Sequence, residues 1–454
     1  MPRPDTVAVI DIGKTNAKVV LIETATGAQV AVRAMANTVS RDGPYPHADI
    51  EGLWRFILAG LKELQAEHGI GAISITTHGA TAALVDGEGL VLPVLDYEHD
   101  GPEQTARDYA AVRPPFAQTF SPRLPNGLNL GAQIYWQSRR FPAEFGRVQA
   151  ILTYPQYWAW RLTGVMASEV TSLGCHTDLW APDKGTFSSL VEGQDWGRLL
   201  PPLRPAASVA GRVLPQIVGE TGLSAQTPVA CGIHDSNASL LPHLGEREAP
   251  FTVLSTGTWA ICMTVGGSTE RLDDRRDSLA NVDAHGRPVP TARFMGGREF
   301  EMLAGEAVAP SPQEIDRVIR DYIQVLPTFV PGVGPFPHAK GRWTHEPAGL
   351  TAGERTAAVS LYLALVTEAA LGLCGIGREI VIEGPLARNV LFGQALANMA
   401  AVPVTASGDA TGTCLGAAML LCEIAGRSQA GEPLAPLQHA AFADYRRRWQ
   451  EDAG

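Results

Sequence analysis

The chain has 454 residues and a formal net charge of −11, from 36 Lys and Arg against 47 Asp and Glu. Apolar residues make up 45% of the chain, which excludes wholesale disorder, and the acidic balance argues against a nucleic-acid binder, whose usual footprint is a basic face. A chain of this length is expected to fold as two or three domains.

The first eighty residues predict a three-stranded antiparallel meander, a helix and a further strand. Runs of β-branched residues indicate the strands, and a Gly-containing turn joins the first two. The helix has apolar residues at a 3.6-residue period, Asp49 as its N-cap and Gly69 at its end. This order differs from the alternating βαβ order of a dinucleotide-binding fold. The predicted elements are Thr6–Ile12, Ala17–Ile22, Gln29–Met35, the helix from Asp49 to about His68, and Ala72–Thr77.

The opening hairpin recurs 244 residues later. Phe251–Val265 again predicts strand, Gly/Thr turn and strand, and it aligns Ser255 with Asp11 and Gly257 with Gly13. A duplicated domain explains the repeat, with a boundary near Gly245. The other predicted elements are a strand at 228–232, a helix at 235–241, a helix at 353–377, a strand at 379–383, a helix at 388–400, a strand at 402–405 and a helix at 413–425. The segment 266–340 is rich in Gly, Pro and charge, and predicts irregular insertions near an active site.

The stretch from Asp11 to Lys18 has the residue types that a nucleoside triphosphate with Mg²⁺ needs. A carboxylate at a strand end can hold the metal or its water, and a glycine turn lets successive backbone N–H groups approach an anion. Lys14 or Lys18 can neutralise phosphate charge, although strand alternation leaves one of them pointing away. A plain exposed hairpin is the alternative. The stretch does not contain a Walker A loop.

Two further stretches of the chain can complete a phosphoryl-transfer site. The hydroxyls of Leu254-Ser-Thr-Gly-Thr258, with Gly257, can form a second phosphate cradle. Asp235 lies where a predicted strand ends and a helix begins, just before the domain boundary. A carboxylate there can accept a proton from an attacking hydroxyl. An ordinary helix N-cap is the alternative for Asp235.

The remaining polar and glycine-rich stretches fit the two ligands of such a reaction. The segments 383–389 and 408–418 each follow a strand and lead into a helix, and their Gly and Ala residues leave room for a flat adenosine ring. Helix-packing glycines are the alternative. His78, after another strand, can hydrogen-bond a polyol, and 97–100 (Tyr-Glu-His-Asp) forms a polar cluster at a strand end.

The cysteines and the N-terminus favour a cytoplasmic protein. Six scattered cysteines without a CxxC pair indicate buried thiols in a reducing compartment. The first apolar run is short and is broken by Asp11, so no signal peptide is predicted. The apolar stretch 357–377 contains Glu368 and predicts a buried Ala-rich helix, not a membrane span.

Taken together, these motifs resemble the FGGY carbohydrate kinases over nearly the whole chain. DIGKTNAK, HGAT, GIHDSNAS, LSTGTWA, EGPLARN and TGTCLGAAML occur in the order and spacing of that family. The first motif alone equally fits other actin-like ATPases, and the carboxylate before the second hairpin is more specific. HGAT is similar to xylulokinases, and HDSNA and LSTGTW are similar to rhamnulokinases and fuculokinases.

The resemblance implies an α/β fold of two ribonuclease H-like (actin-like ATPase) domains flanking a central cleft, a sugar-binding domain at 1–244 and an ATP-binding domain at 245–454. Asp235 would be the catalytic base and Asp11 would serve Mg²⁺. The first phosphate loop would be Gly13, Lys14, Thr15 and Asn16, the second Thr256, Gly257 and Thr258. The adenosine site would be shaped by Gly384, Asn389, Gly412 and Gly416, and the sugar would meet His78, Tyr97, Glu98 and Asp235.

The chain departs from the family pattern at three places. Many members have a hydroxyl residue where this chain has Lys14, and a Trp-x-Asp-x-Arg-like run where this one reads Asp96-Tyr-Glu-His-Asp100. The adenosine motif usually begins with paired glycines, and here it reads Glu383-Gly384. The second departure concerns the sugar, and the other two concern nucleotide contacts.

We therefore predict an ATP-dependent kinase of a small sugar, a ketopentose or 6-deoxy-ketohexose such as xylulose, rhamnulose or fuculose. ATP and Mg²⁺ are the expected cofactors and the sugar the expected partner, with no nucleic acid and no membrane, and with a homodimer left open. The alternatives are an actin-like, ATP-switched assembly or chaperone protein, and a sensor that binds sugar without turnover. Asp235 and the HGAT loop have no obvious duty in the actin-like alternative.

Overall fold

The computed structural model describes residues 3–407, 412–424 and 431–453. The described residues form two compact units. Unit 1 consists of residues 3–246, 280–288 and 412–424. Unit 2 consists of residues 247–279, 289–407 and 431–453.

The strands of both units are short, and most are rich in β-branched residues. In chain order they are β1 (Thr6–Ile12), β2 (Asn16–Glu23), β3 (Gln29–Ala36), β4 (Val39–Ser40), β5 (His47–Ala48), β6 (Ala72–Thr77), β7 (Ala82–Val85), β8 (Ala150–Thr153), β9 (Trp180–Ala181), β10 (Thr186–Phe187), β11 (Val209–Arg212), β12 (Pro228–Ala230), β13 (Ile233–His234), β14 (Phe251–Thr256), β15 (Ala260–Val265), β16 (Ser278–Val282), β17 (Pro288–Phe294), β18 (Val325–Leu326), β19 (Arg342–Trp343), β20 (Ile380–Glu383), β21 (Val404–Ala406) and β22 (Glu432–Pro433).

The helices range from single turns to more than six turns. In chain order they are α1 (Ile50–His68), α2 (Ala106–Val112), α3 (Phe116–Thr119), α4 (Leu130–Arg140), α5 (Pro142–Phe145), α6 (Tyr154–Thr163), α7 (Val170–Leu173), α8 (Ser189–Gly193), α9 (Pro215–Thr221), α10 (Asp235–Glu246), α11 (Gly296–Ala304), α12 (Pro312–Arg320), α13 (Ala352–Cys374), α14 (Val390–Ala400), α15 (Gly412–Met419) and α16 (Phe442–Ala453). Short 3₁₀ turns lie at Gly101–Thr105, Gly197–Leu199, Asp274–Arg276, Pro347–Gly349 and Pro385–Arg388.

The sheet of unit 1 has the strand order β11-β12-β6-β1-β2-β3, and β13 also pairs with β6. Strand β1 is antiparallel to β2 and parallel to β6, with Asp11 opposite Lys18 on one side and Thr76 on the other. Strand β13 continues the parallel set, with Ile233 opposite Thr76. The predicted meander is confirmed, and the carboxyl ends of β1, β6 and β13 meet at one edge of the sheet.

Both faces of this sheet are buried. The mostly apolar sequence of β1 is typical of a strand that is covered on both sides. Along β1, Ala8, Ile10 and Ile12 pack into the core formed with α1, α6 and α9. The alternate residues, Val7 and Val9, pack into a second core formed with α10 and α15. The period of two along the strand thus assigns each residue to one layer.

Helix α1 shows why the sequence signals at its ends were reliable. The Asp49 carboxylate accepts a hydrogen bond from the Gly52 backbone N–H at 2.9 Å, which satisfies one of the donors that every helix leaves free. The helix ends at Gly69, whose φ of 78° is the conformation that glycine adopts most easily. The predicted cap and end are confirmed.

Unit 2 repeats the central arrangement of unit 1. Its strands follow the order β17-β15-β14-β20-β21-β22. Strand β14 is antiparallel to β15 and parallel to β20, just as β1 is antiparallel to β2 and parallel to β6. Strand β17 pairs antiparallel with β15 and takes the place of β3. The duplication predicted from the two hairpins is confirmed.

Helix α13 is the main core helix of unit 2. Thr351 and Glu354 form a capping box at its start. By length and composition alone it could cross a membrane, but 83% of its apolar window is buried inside the structure. An all-round apolar helix of this kind is typical of a core, and the predicted buried helix is confirmed.

Two predictions of chain organisation are corrected. The segment 266–340 is not irregular, because it contains β16, β17, α11, α12 and β18. The predicted helix at 413–425 is shorter among the described residues, where α15 ends at Met419. Residues 408–411 of the second glycine-rich motif lie outside the described residues.

The prediction of a continuous domain at 245–454 also needs correction. Unit 1 ends its first segment at Glu246, but residues 280–288 and 412–424 belong to it as well. The physical reason is helix α15, which packs against α10, β1 and β6. The Ser74 hydroxyl donates a hydrogen bond to the Ala417 carbonyl at 2.6 Å across that contact.

Candidate active site

Three predicted site residues meet at the carboxyl edge of the first sheet. Asp11 is near the end of β1, His78 directly follows β6, and Asp235 directly follows β13. The strand register places Asp11 opposite Thr76, and Thr76 opposite Ile233. Asp11 and His78 both interact electrostatically with Asp235. The edge of the sheet therefore gathers two carboxylates and an imidazole.

The surroundings of the Asp11 carboxylate disfavour its negative charge. Burial and the negative charge of Asp235 raise the pKa of Asp11 to about 6, against the opposite effect of Lys18. The Cys414 thiol lies 3.7 Å from Oδ2 of Asp11. A buried carboxylate that lies near another negative charge is one that a bound cation stabilises.

Asp235 is the first residue of α10, and its side chain is 33% exposed. Its Oδ1 accepts a hydrogen bond from the Ser236 backbone N–H at 2.6 Å and lies 3.1 Å from His234 Nε2. Burial alone would raise the pKa of Asp235, but the charge and hydrogen bond of His234 outweigh it and hold that pKa below its usual value. The carboxylate is therefore ionised and partly accessible, as a general base must be.

A buried polar cluster lies behind Asp235. The Cys175 thiol is 3.5 Å from His234 Nε2, and the charges of His176 and His234 lower the pKa of that thiol to about 5 against the effect of burial. Glu169 is fully buried and accepts hydrogen bonds from the Thr171 N–H at 2.9 Å and hydroxyl at 2.5 Å. Burial raises the pKa of Glu169 to about 7.

His78 lies among aromatic rings at the same edge. Its ring centroid is 5.3 Å from that of Tyr97 and 5.2 Å from that of Tyr154. Burial lowers the pKa of His78, so the imidazole is neutral at physiological pH. Together with Thr81 and Lys14, these rings line a small cavity of about 20 Å³.

Lys14 is turned toward this cavity. Its ammonium is paired with the Asp96 carboxylate, lies 3.4 Å from Glu98 Oε2, and is 4.6 Å from the centroid of the Tyr97 ring. The predicted sugar residues Tyr97 and Glu98 thus contact a residue that was predicted for phosphate. Gly13 keeps the hairpin tight, with its N–H bonded to the Asn16 carbonyl at 2.9 Å.

The predicted second phosphate loop is the β14–β15 hairpin of unit 2. Gly257 and Thr258 are exposed at its tip, and nothing lies within 4 Å of the place where a Cβ on Gly257 would be. Thr256 has a structural contact, because its hydroxyl donates to the Glu383 carbonyl and accepts from the Leu386 N–H at 3.1 Å. Gly384, with φ of 80°, packs so closely that a Cβ would overlap the Thr256 carbonyl.

A second cavity, of about 400 Å³, lies in unit 2 beside the start of α14. Asn389 is the N-cap of that helix: its Oδ1 accepts from the Phe392 N–H at 3.1 Å, and its Nδ2 donates to Ser360 at 2.9 Å. The rest of the wall is mostly apolar. It is formed by Phe300, Ala307, Val308, Ala309, Pro310, Ile315, Thr356, Pro385, Arg388, Val390, Leu391 and Gln394.

Gly412 and Gly416, predicted for the adenosine site, lie on α15 in unit 1. A Cβ at Gly416 would overlap the carbonyl of Ala238, so this glycine allows α15 to pack closely on α10. Gly412 faces Ser239, which is also a residue of α10. Close helix packing, the alternative considered from sequence, is the contact that the structure shows for Gly416.

Several residues of these sites were not predicted from sequence. The sequence motifs assign no role to His234, Cys175 or Glu169. They also give no sign that Asp96 pairs with Lys14. Val308 and Phe300 line the cavity in unit 2 from a segment that was predicted to be irregular. A carboxylate or thiol far away in sequence gives no local signal of such contacts.

The chain matches known proteins over most of its length. Residues 6–242 match the N-terminal domain of the FGGY family of carbohydrate kinases, and residues 248–430 match the C-terminal domain of carbohydrate kinase FGGY. A carbohydrate kinase from Novosphingobium aromaticivorans, of known crystal structure, is 37% identical with a TM-score of 0.90, covering 98% of this chain and 100% of that one.

Two curated relatives are more distant. The L-fuculokinase of Salmonella typhi is 24% identical over 475 residues, covering 98% of this chain and 97% of the relative. The xylulose kinase of Escherichia coli (strain K12) is 26% identical over 286 residues, covering 62% of this chain and 57% of the relative.

This chain belongs to the FGGY carbohydrate kinases, which are ATP-dependent phosphotransferases with an alcohol group as acceptor. The predicted family and enzyme class are confirmed. The α/β fold of two ribonuclease H-like domains is confirmed as well, by the two copies of the sheet and by the neighbouring kinase structures. The actin-like assembly protein considered as an alternative is not supported by either match.

Proposed function

We propose that this kinase transfers the γ-phosphate of ATP to a hydroxyl of a ketopentose or a 6-deoxy-ketohexose. The observation that carries the proposal is the meeting of Asp11, His78 and Asp235 at the ends of β1, β6 and β13. Asp235 takes the proton from the sugar hydroxyl, which attacks the phosphorus in line as the bond to ADP breaks. His78, neutral and near Asp235, hydrogen-bonds a neighbouring hydroxyl.

The residues that surround Asp11 fit a magnesium ion. Asp11 would hold the ion or its water, and a bound Mg²⁺ would neutralise charge on the phosphates. The raised pKa of Asp11 supports this assignment, because a cation relieves the repulsion between neighbouring carboxylates. The exposed turn residues Thr15 and Asn16 offer backbone and side-chain donors to phosphate oxygens.

We assign the sugar to unit 1 and the adenosine to unit 2. The cavity beside α14 has a mostly apolar wall with a few polar side chains, among them the capping amide of Asn389, which suits a purine ring with a few polar atoms. Gly384 and Asn389 remain the predicted residues on that side, and Gly257 and Thr258 the predicted second phosphate loop.

The reaction is tested by coupled ADP release with a panel of ketoses and polyols. We expect ADP release to depend on one or a few ketoses and to be at least about a hundredfold slower without sugar. Flat ATP hydrolysis across the panel would contradict the proposal. Sugar binding without ADP release would instead support the sensor hypothesis.

The adenosine assignment predicts the effect of a charge at Val390. This side chain is 60% exposed and lines the cavity, so Val390→Glu places a carboxylate where the purine would stack. We expect KM for ATP to rise about tenfold, with KM for the sugar unchanged. Ile376→Glu is the matched control, because Ile376 is 41% exposed in the same unit and does not line the cavity. Equal effects of the two substitutions would contradict the assignment.

The charges at the carboxyl edge of the first sheet favour a neutral sugar over a sugar acid. Lys14, at the small cavity on that edge, is paired with Asp96 and Glu98. Asp235 adds another negative charge near His78. A substrate carboxylate would therefore face a net negative surface, which costs binding energy.

Weakening the Lys14 pair should relax this selection. For Asp96→Asn we expect the kcat/KM for a sugar acid to rise about tenfold relative to the preferred ketose, since the ammonium is then partly free. Asp100→Asn is the control, because Asp100 is 83% exposed on the same loop and lies near His99 instead. An unchanged ratio in Asp96→Asn would show that Lys14 does not face the substrate.

A homodimer and a cytoplasmic location stay predictions from the sequence. Gel filtration with light scattering measures the first directly. The six described cysteines are all free thiols, which is compatible with a reducing compartment.

A further inference from the structure

The proposed base is held from behind by one buried imidazole. We propose that His234 is the positioning residue for the reaction: its Nε2 holds Oδ1 of Asp235, so that Oδ2 accepts the substrate proton. This inference rests on the proposed role of Asp235 as the base. It adds a residue that never needs to touch the sugar.

The contacts of the carboxylate separate its two oxygens. Oδ1 lies 3.1 Å from His234 Nε2, and it accepts from the Ser236 N–H at 2.6 Å and the Ser236 hydroxyl at 3.3 Å. Three donors fill the lone pairs of one carboxylate oxygen. No hydrogen bond from the described residues reaches Oδ2, while the side chain is 33% exposed. Oδ2 is therefore the oxygen that can take up a proton.

The imidazole is itself fixed on several sides. The Asn237 amide nitrogen lies 3.2 Å from His234 Nδ1, and the His234 backbone N–H donates to the Thr171 hydroxyl at 3.1 Å. The loop after β6 also packs against the ring, since a Cβ at Gly79 would lie 2.9 Å from Nε2. With a side chain only 6% exposed, the ring has no room to turn, and it imposes its orientation on the carboxylate.

The charges in this cluster favour an ionised Asp235. Burial would lower the pKa of His234, but the charges of Cys175 and Asp235 outweigh it and raise that pKa well above its usual value. The resulting imidazolium donates from both ring nitrogens, so Asn237 must turn its amide oxygen toward Nδ1 in that state, and the positive charge stabilises the carboxylate at its side. The titratable groups that face this pair from the surrounding elements are Asp11 on β1, His78 after β6, Tyr97 on the loop after β7, Glu169 at the start of α7, and Cys175 and His176 after α7.

The pH profile of kcat/KM for the sugar separates this role from simple packing. For His234→Leu, which removes both charge and hydrogen bond, we expect kcat to fall about a hundredfold. The acid limb of the pH profile should move up by about one pH unit. Without His234, burial raises the pKa of Asp235 and no neighbouring positive charge at that position opposes it. His234→Gln restores a donor without the charge and should recover part of kcat while keeping the shifted limb. KM for ATP should stay within twofold.

Cys175→Ala is the matched control in the same buried cluster. It removes a group that contacts the imidazole but is not bonded to Asp235. Because the Cys175 charge reaches Asp235 through His234, we expect its acid limb to move by much less than that of His234→Leu. If the limb moves equally in Cys175→Ala, or not at all in His234→Leu, packing alone explains the effect and the proposal is overturned.

A second measurement does not depend on turnover. In full-length protein with ¹⁵N-labelled histidine, the resonances of His234 report its pKa directly, and Asp235→Asn should lower that pKa by removing the carboxylate. An unchanged titration would overturn the proposal, including in the case where His234→Leu fails to fold. Because this readout needs no sugar, failure of the proposed kinase reaction is distinguished from failure of the His234 contact.

Discussion

Asp235→Asn should reduce kcat about a thousandfold or more while leaving ATP binding intact. The amide keeps the volume of the side chain and can still accept from the Ser236 N–H, but it cannot take a proton from the sugar hydroxyl. The measurement is single-turnover phosphorylation of the preferred ketose, together with calorimetric titration of ATP.

Asp49→Asn is the matched control for this substitution. Asp49 is also a carboxylate in unit 1 that accepts from a backbone N–H near the start of a helix, and asparagine caps helices equally well. Its activity should equal that of the wild type. Turnover within tenfold of the wild type in Asp235→Asn would remove Asp235 from the role of base.

Gly384→Ala should destabilise unit 2 by about 2–6 kcal/mol. The backbone at φ 80° and ψ −160° costs a residue with a Cβ roughly 1–3 kcal/mol, and the forced overlap adds about 1–3 kcal/mol. The overlap is with the Thr256 carbonyl, which belongs to a strand in the middle of the sheet and cannot move aside cheaply. The measurement is the melting temperature by calorimetry, with a loss of ATP binding expected alongside.

Gly375→Ala separates the two contributions. Gly375 ends α13 with a φ of 84°, close to that of Gly384, but nothing lies within 4 Å of the position of its Cβ. This variant therefore carries the cost of the positive φ alone, and its melting temperature should fall between those of Gly384→Ala and the wild type. Equal melting temperatures for the two variants would show that the close approach at Gly384 is relieved by a backbone shift.

Local signals in the sequence predicted the central elements well. Strand β1 was predicted with its observed bounds, because a run of β-branched residues ends at a glycine turn. The two hairpins, 244 residues apart, predicted the duplication, since each is the first antiparallel pair of its sheet. Asp235 was predicted as the base from its place between a strand and a helix, where the structure has it.

Contacts between distant parts of the chain could not be predicted in this way. In the second copy, 22 residues separate the hairpin from β17, against five between β2 and β3, so the third strand was missed. Lys14 and Asp96 are 82 residues apart, and His234 and Cys175 are 59 apart. Pairing over such distances in sequence depends on the tertiary fold. The residues next to Lys14 or His234 form no local pattern that reveals the partner of either side chain.

The return of the chain to unit 1 has a consequence for its synthesis on the ribosome. One face of the first sheet is covered by Ala417, Ala418 and Leu420, which are made about 400 residues after Val7 and Val9. At usual elongation rates that interval is roughly 20 to 80 s, far longer than a small domain needs to fold. During this time the nascent first domain exposes the part of the sheet face that α15 later covers, and this apolar surface is available to chaperones until α15 has been made.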